Sequence, residues 1–231
     1  MALSKSQADV DAFLVVGGGE LLLRKRVSRH SLYFASKRLF DAFGALCGLI
    51  LLSPVLVAVA IAVKIENPRA AIIFKQKRIG KKGKIFFIYK FRSMVPDAEH
   101  LLDDLLDKNE TTGAMFKMHN DPRIMRIGHF IRRTSIDELP QLYNVLRGEM
   151  SLVGPRPPLP REVAKYSEHD KLRLLVTPGC TGLWQVSGRS DLGFAEMVRL
   201  DIQYIYDQSL LFDFKIVIKT IAMLIHSKGA Y

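Results

Sequence analysis

The segment AFGALCGLILLSPVLVAVAIAV, from Ala42 to Val63, decides the class of this protein because it carries no charged residue over 22 positions. As a straight α-helix rising ~1.5 Å per residue it would reach ~33 Å, close to the thickness of a bilayer's hydrocarbon core. An ordinary soluble protein is therefore excluded. A cleaved signal peptide is a weak alternative, since about forty residues precede the segment, too many for the basic start of a signal peptide.

Basic residues flank the apolar segment on both sides. Cytoplasmic flanks of membrane segments carry an excess of Lys and Arg, and here both flanks qualify, which favours a re-entrant segment that enters and leaves by one face. The basic residues are Arg24, Lys25, Arg26, Arg29, Lys37 and Arg38 upstream, and Lys64, Arg69, Lys75, Lys77, Arg78, Lys81, Lys82 and Lys84 downstream.

The dipeptide Ser53-Pro54 predicts a kink in the middle of this segment. Pro54 lacks an N–H and its ring clashes with the carbonyl of Ile50, so each resulting arm of the uncharged run is only ~15–18 Å long. The Ser53 hydroxyl is placed to bond the freed carbonyl. A kinked anchor that spans the bilayer once is the alternative interpretation.

The remainder of the chain has the composition of a folded, strongly basic domain. The 231 residues include 34 Lys and Arg against 23 Asp and Glu, a formal net charge of +11. Such a balance indicates anionic partners: nucleic acid, phosphate-bearing small molecules or an anionic membrane. The apolar segment argues against a soluble nucleic-acid-binding protein. We expect a tail over 1–30, a re-entrant membrane hairpin over 31–64 and a catalytic domain over 65–231.

A β-hairpin is predicted directly after the membrane segment. Two β-rich runs, Ala71–Ile79 and Lys84–Arg92, are separated by Gly80-Lys-Lys-Gly83. Alternation along the second run places Lys90 and Arg92 on one face as neighbouring cations. They form either a solvated basic edge or part of an anion site.

The stretch TSIDELPQLYNVLRG, residues 134–148, places two acids at a predicted helix start. Ser135 and Glu138 match a capping box, Pro140 suits a first helical turn, and Gly148 suits a helix end. The Asp137-Glu138 pair could simply stabilise the helix dipole. With Arg132 nearby, it also suits a site for phosphate and a divalent metal.

Three further segments complete the candidate residues. Gly154–Pro160 is proline-rich and stiff, and would hold Arg156 at a fixed position. In the loop that follows Thr177, Trp184 is either a core anchor or, with neighbouring Gly, Ser, Gln and Arg residues, part of a nucleotide site. Ser209–Ile225 predicts a core or membrane-surface helix.

Taken together and in this order, the motifs resemble the bacterial sugar transferase family, whose members are monotopic phosphoglycosyl transferases. The resemblance runs from about Lys37 to Tyr231. The motifs that carry it are Lys37-Arg38-x-Phe40-Asp41, Ser53-Pro54, Gln76-x-Arg78-x-Gly80, Lys90-Phe-Arg-Ser-Met94, Asn120-Asp-Pro-Arg123, Arg132 with Thr134–Gln141, Ser151–Pro157, and Pro178–Gly179 with Gly182–Arg189.

The resemblance implies a fold and a reaction. The fold would be an α/β domain of short helices around a small hairpin, held by interfacial amphipathic helices on the cytoplasmic face of the bacterial inner membrane. The reaction would move a hexose-1-phosphate, glucose or galactose by resemblance, from a UDP-sugar to undecaprenyl phosphate, releasing UMP. This is a priming step of exopolysaccharide or capsule synthesis.

The resemblance also implies roles for particular residues. Asp137 would be the nucleophile that forms a covalent phosphosugar intermediate, and Glu138 would help to place Mg²⁺ or tune the site. Asp137 and Glu138 would be the metal ligands. The phosphate clamp would be Lys90, Arg92, Arg132 and Arg156, and the nucleotide-sugar side Trp184, Gln185 and Arg189. The competing function is a non-enzymatic basic adaptor that binds anionic lipids. Whether the chain forms a homodimer is left open.

Overall fold

The computed structural model describes residues 23, 25, 27, 31–98, 100–103, 105, 118, 121–188 and 192–225. Most of the predicted tail and Arg189 lie outside these residues. Leu23, within the predicted tail, is fully buried and belongs to the main hydrophobic core. The part of the chain that the structure describes is a mixed α/β fold of helices and two small sheets.

The apolar segment forms two helices, α1 (Ser31–Leu51) and α2 (Ser53–Glu66), bent by 61° at Leu52. The Ser53 hydroxyl donates a hydrogen bond of 2.8 Å to the carbonyl of Ile50, so both the kink and its hydrogen bond are confirmed. Within the described residues no single helix has the length and apolar composition to cross a bilayer, whereas the bent pair together has both. Both arms extend into polar sequence beyond the uncharged run, so they are longer than predicted.

Polar residues at the start of α1 attach it to the rest of the fold. The Lys37 ammonium and the Tyr33 hydroxyl lie 2.9 and 2.8 Å from Oδ2 of buried Asp213, and the Tyr204 hydroxyl donates to its Oδ1. Asp41 accepts the backbone N–H of Leu152 at 3.0 Å. These contacts compensate each buried charge, because an unpaired one would be costly away from water.

The predicted hairpin is confirmed, with slightly shorter strands. Strand β1 (Ile73–Ile79) pairs antiparallel with β2 (Ile85–Phe91) through a turn at Lys81–Gly83. Phe86 and Ile88 of β2 pack inward against Ala45 of α1. Lys90 continues this inward face of the hairpin, opposite Phe74 in the register.

Short elements build the remainder of the domain around the hairpin. The parallel pair β3 (Ser151–Val153) and β4 (Gly179–Thr181) forms a second sheet. Together with the C-terminal helices these strands enclose the main core. The helices are α3 (His100–Asp103), α4 (Arg126–Arg133), α5 (Gln141–Arg147), α6 (Pro160–Val163), α7 (Phe194–Asp207) and α8 (Leu210–Ile225), with 3-10 turns at Ile136–Glu138, Asp170–Leu175 and Trp184–Val186.

The capping box predicted from Ser135 and Glu138 is wrong. Ser135 has a left-handed backbone (φ 56°) and its side chain makes no capping bond. Asp137 and Glu138 lie on a separate 3-10 turn, and α5 begins only at Gln141, directly after Pro140. The expected end of this helix is confirmed, since Gly148 adopts φ 78°, which favours glycine.

Candidate active site

A small, half-open cleft lies between the hairpin, the Asp137-Glu138 turn and the proline-rich segment. Its charged lining residues are three cations and one acid, and two residues of β4 also line it. The lining residues are Arg78, Ile88, Lys90, Glu138, Gln141, Arg156, Pro157, Gly179, Cys180 and Gln185. The structure therefore brings Lys90, Glu138, Arg156 and Gln185 together, as the sequence predicted.

The two acids of the turn have different partners. Glu138 Oε1 accepts a hydrogen bond from the Lys90 ammonium at 2.6 Å, and this ion pair joins the turn to β2. Asp137 is only 9% exposed and makes no ion pair within 4 Å in the described part of the chain. Asp137 is therefore the carboxylate without an ion pair, whereas Glu138 is paired with Lys90.

The pKa values of the two acids also differ. Burial raises the pKa of Asp137 to about 6; Lys90 opposes this shift and Glu138 adds to it. Burial also acts on Glu138, but the nearby charges of Lys90, Arg156 and Arg78 outweigh it, so the pKa of Glu138 lies below its ordinary value. At neutral pH both acids are ionised, and Asp137 is the more basic and less stabilised anion.

Arg78 is a site residue that the sequence reasoning missed. Its Nε and Nη2 donate to Gln76 Oε1 at 3.2 and 2.6 Å, and its Nη1 donates to the carbonyl of Pro157 at 2.9 Å. Burial and the like charge of Arg156 lower the pKa of Arg78 to about 10. The signal was available, since Arg78 lies two positions from Gln76 in a quoted motif and shares the inward face of the hairpin with Lys90.

The proline-rich segment is fixed along its length, as predicted for a stiff carrier of Arg156. Besides the Arg78 contact, the carbonyl of Pro158 accepts the N–H of Ile79, and the carbonyl of Pro155 accepts the N–H of Gly179, both at 2.9 Å. Strands β1 and β4 thus hold this segment from both sides. Arg156 consequently faces Glu138 across the cleft.

Asn144 of α5 also supports the site, although no sequence motif singled it out. Its amide donates to the carbonyl of Phe87 at 2.7 Å and accepts the N–H of Tyr89 at 3.1 Å. The side chain is fully buried and satisfies the free edge of β2. It thereby fixes the strand that carries Lys90 against the helix that follows the two acids.

The remaining predicted residues are placed less centrally. Arg132, at the end of α4, lowers the pKa of Asp137 through its charge. Arg92 donates to the carbonyl of Ala71 and lies over the Phe74 ring, instead of contacting the acids. Trp184 is packed in the main hydrophobic core, which agrees with its interpretation as a core anchor.

The donors at the turn suit a hard divalent cation. Mg²⁺ in phosphoryl-transfer sites is held by one or two carboxylates together with substrate phosphates and water. Among the described residues no cluster of three or more His, Cys, Asp or Glu side chains could hold a metal alone. The Asp137 carboxylate has no ion pair, and the second oxygen of Glu138 has no hydrogen-bond partner within the described ranges. These oxygens fit a metal that is shared with a diphosphate.

Comparison with known proteins adds independent findings. The model of the family described as bacterial sugar transferase matches residues 32–227. Galactosyl transferase CpsE of Streptococcus agalactiae is 49% identical over 199 residues, 86% of this chain and 44% of its own length. The UDP-glucose:undecaprenyl-phosphate glucose-1-phosphate transferase of Escherichia coli is 41% identical, over 84% of this chain and 41% of its own length.

A shorter relative matches over most of both sequences. The exopolysaccharide production protein ExoY of Rhizobium meliloti is 40% identical over 200 residues, 85% of this chain and 88% of its own length. The chain thus spans less than half of several longer relatives but nearly all of ExoY. Since the family model covers the bent helix pair, the hairpin, the Asp137-Glu138 turn and the cationic cleft, the chain belongs to the bacterial sugar transferase family.

Proposed function

We propose that this protein transfers a hexose-1-phosphate from a UDP-sugar to undecaprenyl phosphate and releases UMP, as a priming step of exopolysaccharide or capsule synthesis. The observation that carries the proposal is the buried carboxylate of Asp137, next in sequence to Glu138, whose ion pair with Lys90 lines a cleft that also contains Arg78 and Arg156. The names of the Escherichia coli and Rhizobium relatives support the substrate class and the pathway.

The reaction proceeds in two displacements at one phosphorus atom. An oxygen of Asp137 attacks the phosphorus that bears the sugar; the bond to UMP breaks, and UMP leaves with the electron pair. An oxygen of the lipid phosphate then attacks the same phosphorus, and the bond to Asp137 breaks, which restores the carboxylate. A covalent intermediate of this kind divides one difficult step into two easier ones.

The cations of the cleft make the first attack feasible. A carboxylate must approach a negatively charged diphosphate, and fixed positive charges reduce that repulsion and stabilise the transition state. Lys90, Arg156 and Arg78 all line the cleft, and Arg78 also fixes the segment that carries Arg156. Mg²⁺, held by Asp137 and Glu138 with the diphosphate, would supply further charge neutralisation.

The same domain holds both arms of the bent helix pair, which supports a re-entrant hairpin on the cytoplasmic face of the inner membrane. Lys37 of α1 pairs with Asp213 of α8, and Glu66 of α2 bonds the start of α4. A helix that crossed the bilayer would place its two ends on opposite sides. Large apolar side chains exposed on α1, α2 and the outer face of α8 would then contact lipid.

We assign glucose or galactose as the transferred sugar. Two relatives are named as a galactosyl transferase and a glucose-1-phosphate transferase. Gln185, which lines the cleft, and Arg189, which lies outside the described residues, stay predicted contacts of the substrate. Trp184 packs in the main core and Arg92 lies over Phe74, so neither lines the cleft.

The proposal is tested by measuring UMP release from a panel of UDP-sugars with undecaprenyl phosphate and Mg²⁺. UMP release that requires Asp137, with UDP-glucose or UDP-galactose as donor, is expected. Turnover with UDP-N-acetylated sugars alone would contradict the sugar assignment. Wild-type UMP release in Asp137→Asn would contradict the role of Asp137 as nucleophile. No UMP release from any donor would contradict the enzyme and favour a membrane adaptor.

A further inference from the structure

The second arm of the bent helix pair ends in a bond to the helix that leads into the active site. Glu66, the last residue of α2, accepts the N–H of Arg126 on Oε1 at 2.7 Å and the N–H of Ile127 on Oε2 at 2.8 Å. These N–H groups belong to the first turn of α4 and have no partner within the helix. A carboxylate is also the charge that a helix N-terminus favours.

The first arm makes the complementary bond at the other end of the same segment. Arg38 of α1 donates from Nη1 to the carbonyl of Val145 at 2.5 Å and from Nη2 to the carbonyl of Leu146 at 2.6 Å. Both carbonyls lie in the last turn of α5, where a cation is favoured. Close packing of the same arm supports this contact, since a Cβ on Gly48 would lie 3.1 Å from Leu142.

Helices α4 and α5 are consecutive along the chain, and only the turn that carries Asp137 and Glu138 separates them. Glu66 therefore holds the beginning of this segment, from 126 to 147, and Arg38 holds its end. The two arms meet at a bend of 61°, which sets the distance between the two bonds. A change in that bend would strain or break one of them.

We propose that Glu66 and Arg38 are positioning residues through which the bent helix pair fixes the Asp137-Glu138 turn opposite Lys90. The inference rests on the proposed function, because it assigns to these residues the geometry of that reaction. Neither side chain lines the cleft, so their effect is transmitted through α4 and α5.

The surroundings of Glu66 and Arg38 argue against the alternative that these residues mainly attach the two helices to the domain. Glu66 and Arg38 are both exposed, whereas buried apolar residues attach the two arms to the domain. Val59 and Val63 of α2 pack with Met125 and Ile131, and Ala45 of α1 packs with Val145. Loss of either charge should therefore leave the arms docked but loosen the turn.

The test compares Glu66→Gln and Arg38→Gln with matched controls that remove an exposed charge of the same sign. The controls are Glu168→Gln and Lys171→Gln, which pair with each other on the surface. The rate of UMP release in one turnover without lipid acceptor is measured, together with KM for the UDP-sugar. Hydrogen exchange at residues 134–139 and flotation with anionic vesicles are measured in parallel.

Glu66→Gln and Arg38→Gln should each lower the maximal rate of UMP release by about tenfold or more, since a misplacement of ~1 Å can reduce a rate by about a hundredfold. KM should change by less than about threefold, vesicle binding should be retained, and exchange in the turn should quicken. The double variant should lose less than the product of the single losses, because both residues hold one segment. Glu66→Asp, which keeps both acceptor oxygens, should recover part of the rate.

Wild-type rates and exchange in Glu66→Gln and Arg38→Gln would overturn the proposal, as would equal losses in the two controls or a change confined to KM. If Glu66→Gln does not fold, Glu66→Asp and Arg38→Gln decide by the same criteria. If the wild-type protein releases no UMP, the proposed function fails instead. Hydrogen exchange at residues 134–139 then still decides whether Glu66 and Arg38 position the turn.

Discussion

Replacing Asp137 by Asn should abolish UMP release and at the same time make the protein more stable. The proposed nucleophile is a buried carboxylate without an ion pair among the described residues, and ionisation of such a group is unfavourable in the folded state. Asn has nearly the same size but carries no charge. The variant should therefore lose the attacking anion together with the energetic penalty of burying it.

The size of this stabilisation follows from the pKa of Asp137, about 6 against an ordinary value of 3.8. That difference corresponds to ~3 kcal/mol in the free energy of unfolding, an upper value because Asn also needs hydrogen-bond partners. The folded-state pKa is raised, so the penalty is absent below pH ~4, grows between pH ~4 and ~6, and is complete above pH ~6. The stabilisation of Asp137→Asn over the wild type should depend on pH in the same way.

Glu138→Gln is the matched control, since the pKa of Glu138 is lowered and its charge stabilises the fold through Lys90. Thermal unfolding of both variants and the wild type, in one detergent between pH 4 and pH 8, measures the contrast. At pH 7 Asp137→Asn should melt above the wild type and Glu138→Gln below it. An Asp137→Asn protein that melts below the wild type at pH 7, or that retains UMP release, would refute the reasoning.

Three other outcomes are expected. UMP release should fall as the pH drops below ~6, because Asp137 must be ionised. Lys90→Gln should move this decline to higher pH, since the lysine charge lowers the pKa of Asp137. Rate–pH profiles of both proteins measure the shift, and identical profiles would contradict the charge coupling. Arg156→Gln should weaken UMP release at least tenfold without loss of fold, measured by kinetics and circular dichroism; undiminished kcat/KM would exclude it from the phosphate clamp. Cysteine labelling at residues 20 and 120 should find both residues on the cytoplasmic side, and labelling on opposite sides in the wild type would exclude the hairpin. Pro54→Ala should shift the bent helix pair towards a spanning arrangement.

The sequence predicted those parts of the fold that depend on local stereochemistry. Pro54 removes a helix hydrogen bond wherever it lies, so the kink and the Ser53–Ile50 bond could be predicted without tertiary information. The hairpin followed in the same way from two β-rich runs around a glycine-containing turn. Gly148 ended its helix as expected, because its positive φ is a local requirement.

Features that depend on tertiary contacts could not be predicted in this way. Glu138 matched a capping box in sequence, yet its carboxylate bonds Lys90, which is 48 positions away along the chain. Asn144 resembles an ordinary helix residue until the edge of β2 is placed beside it. The contribution of Arg38 likewise appears only when α5 is positioned.

The most direct test of the account is the intact mass of the protein after incubation with a reactive UDP-sugar and Mg²⁺ in the absence of lipid acceptor. The account predicts release of about one UMP per active site and a retained hexose phosphate, which peptide mapping places on Asp137 and which undecaprenyl phosphate then removes. A hexose phosphate on Glu138 would contradict the central claim, as would UMP release that strictly requires the lipid acceptor.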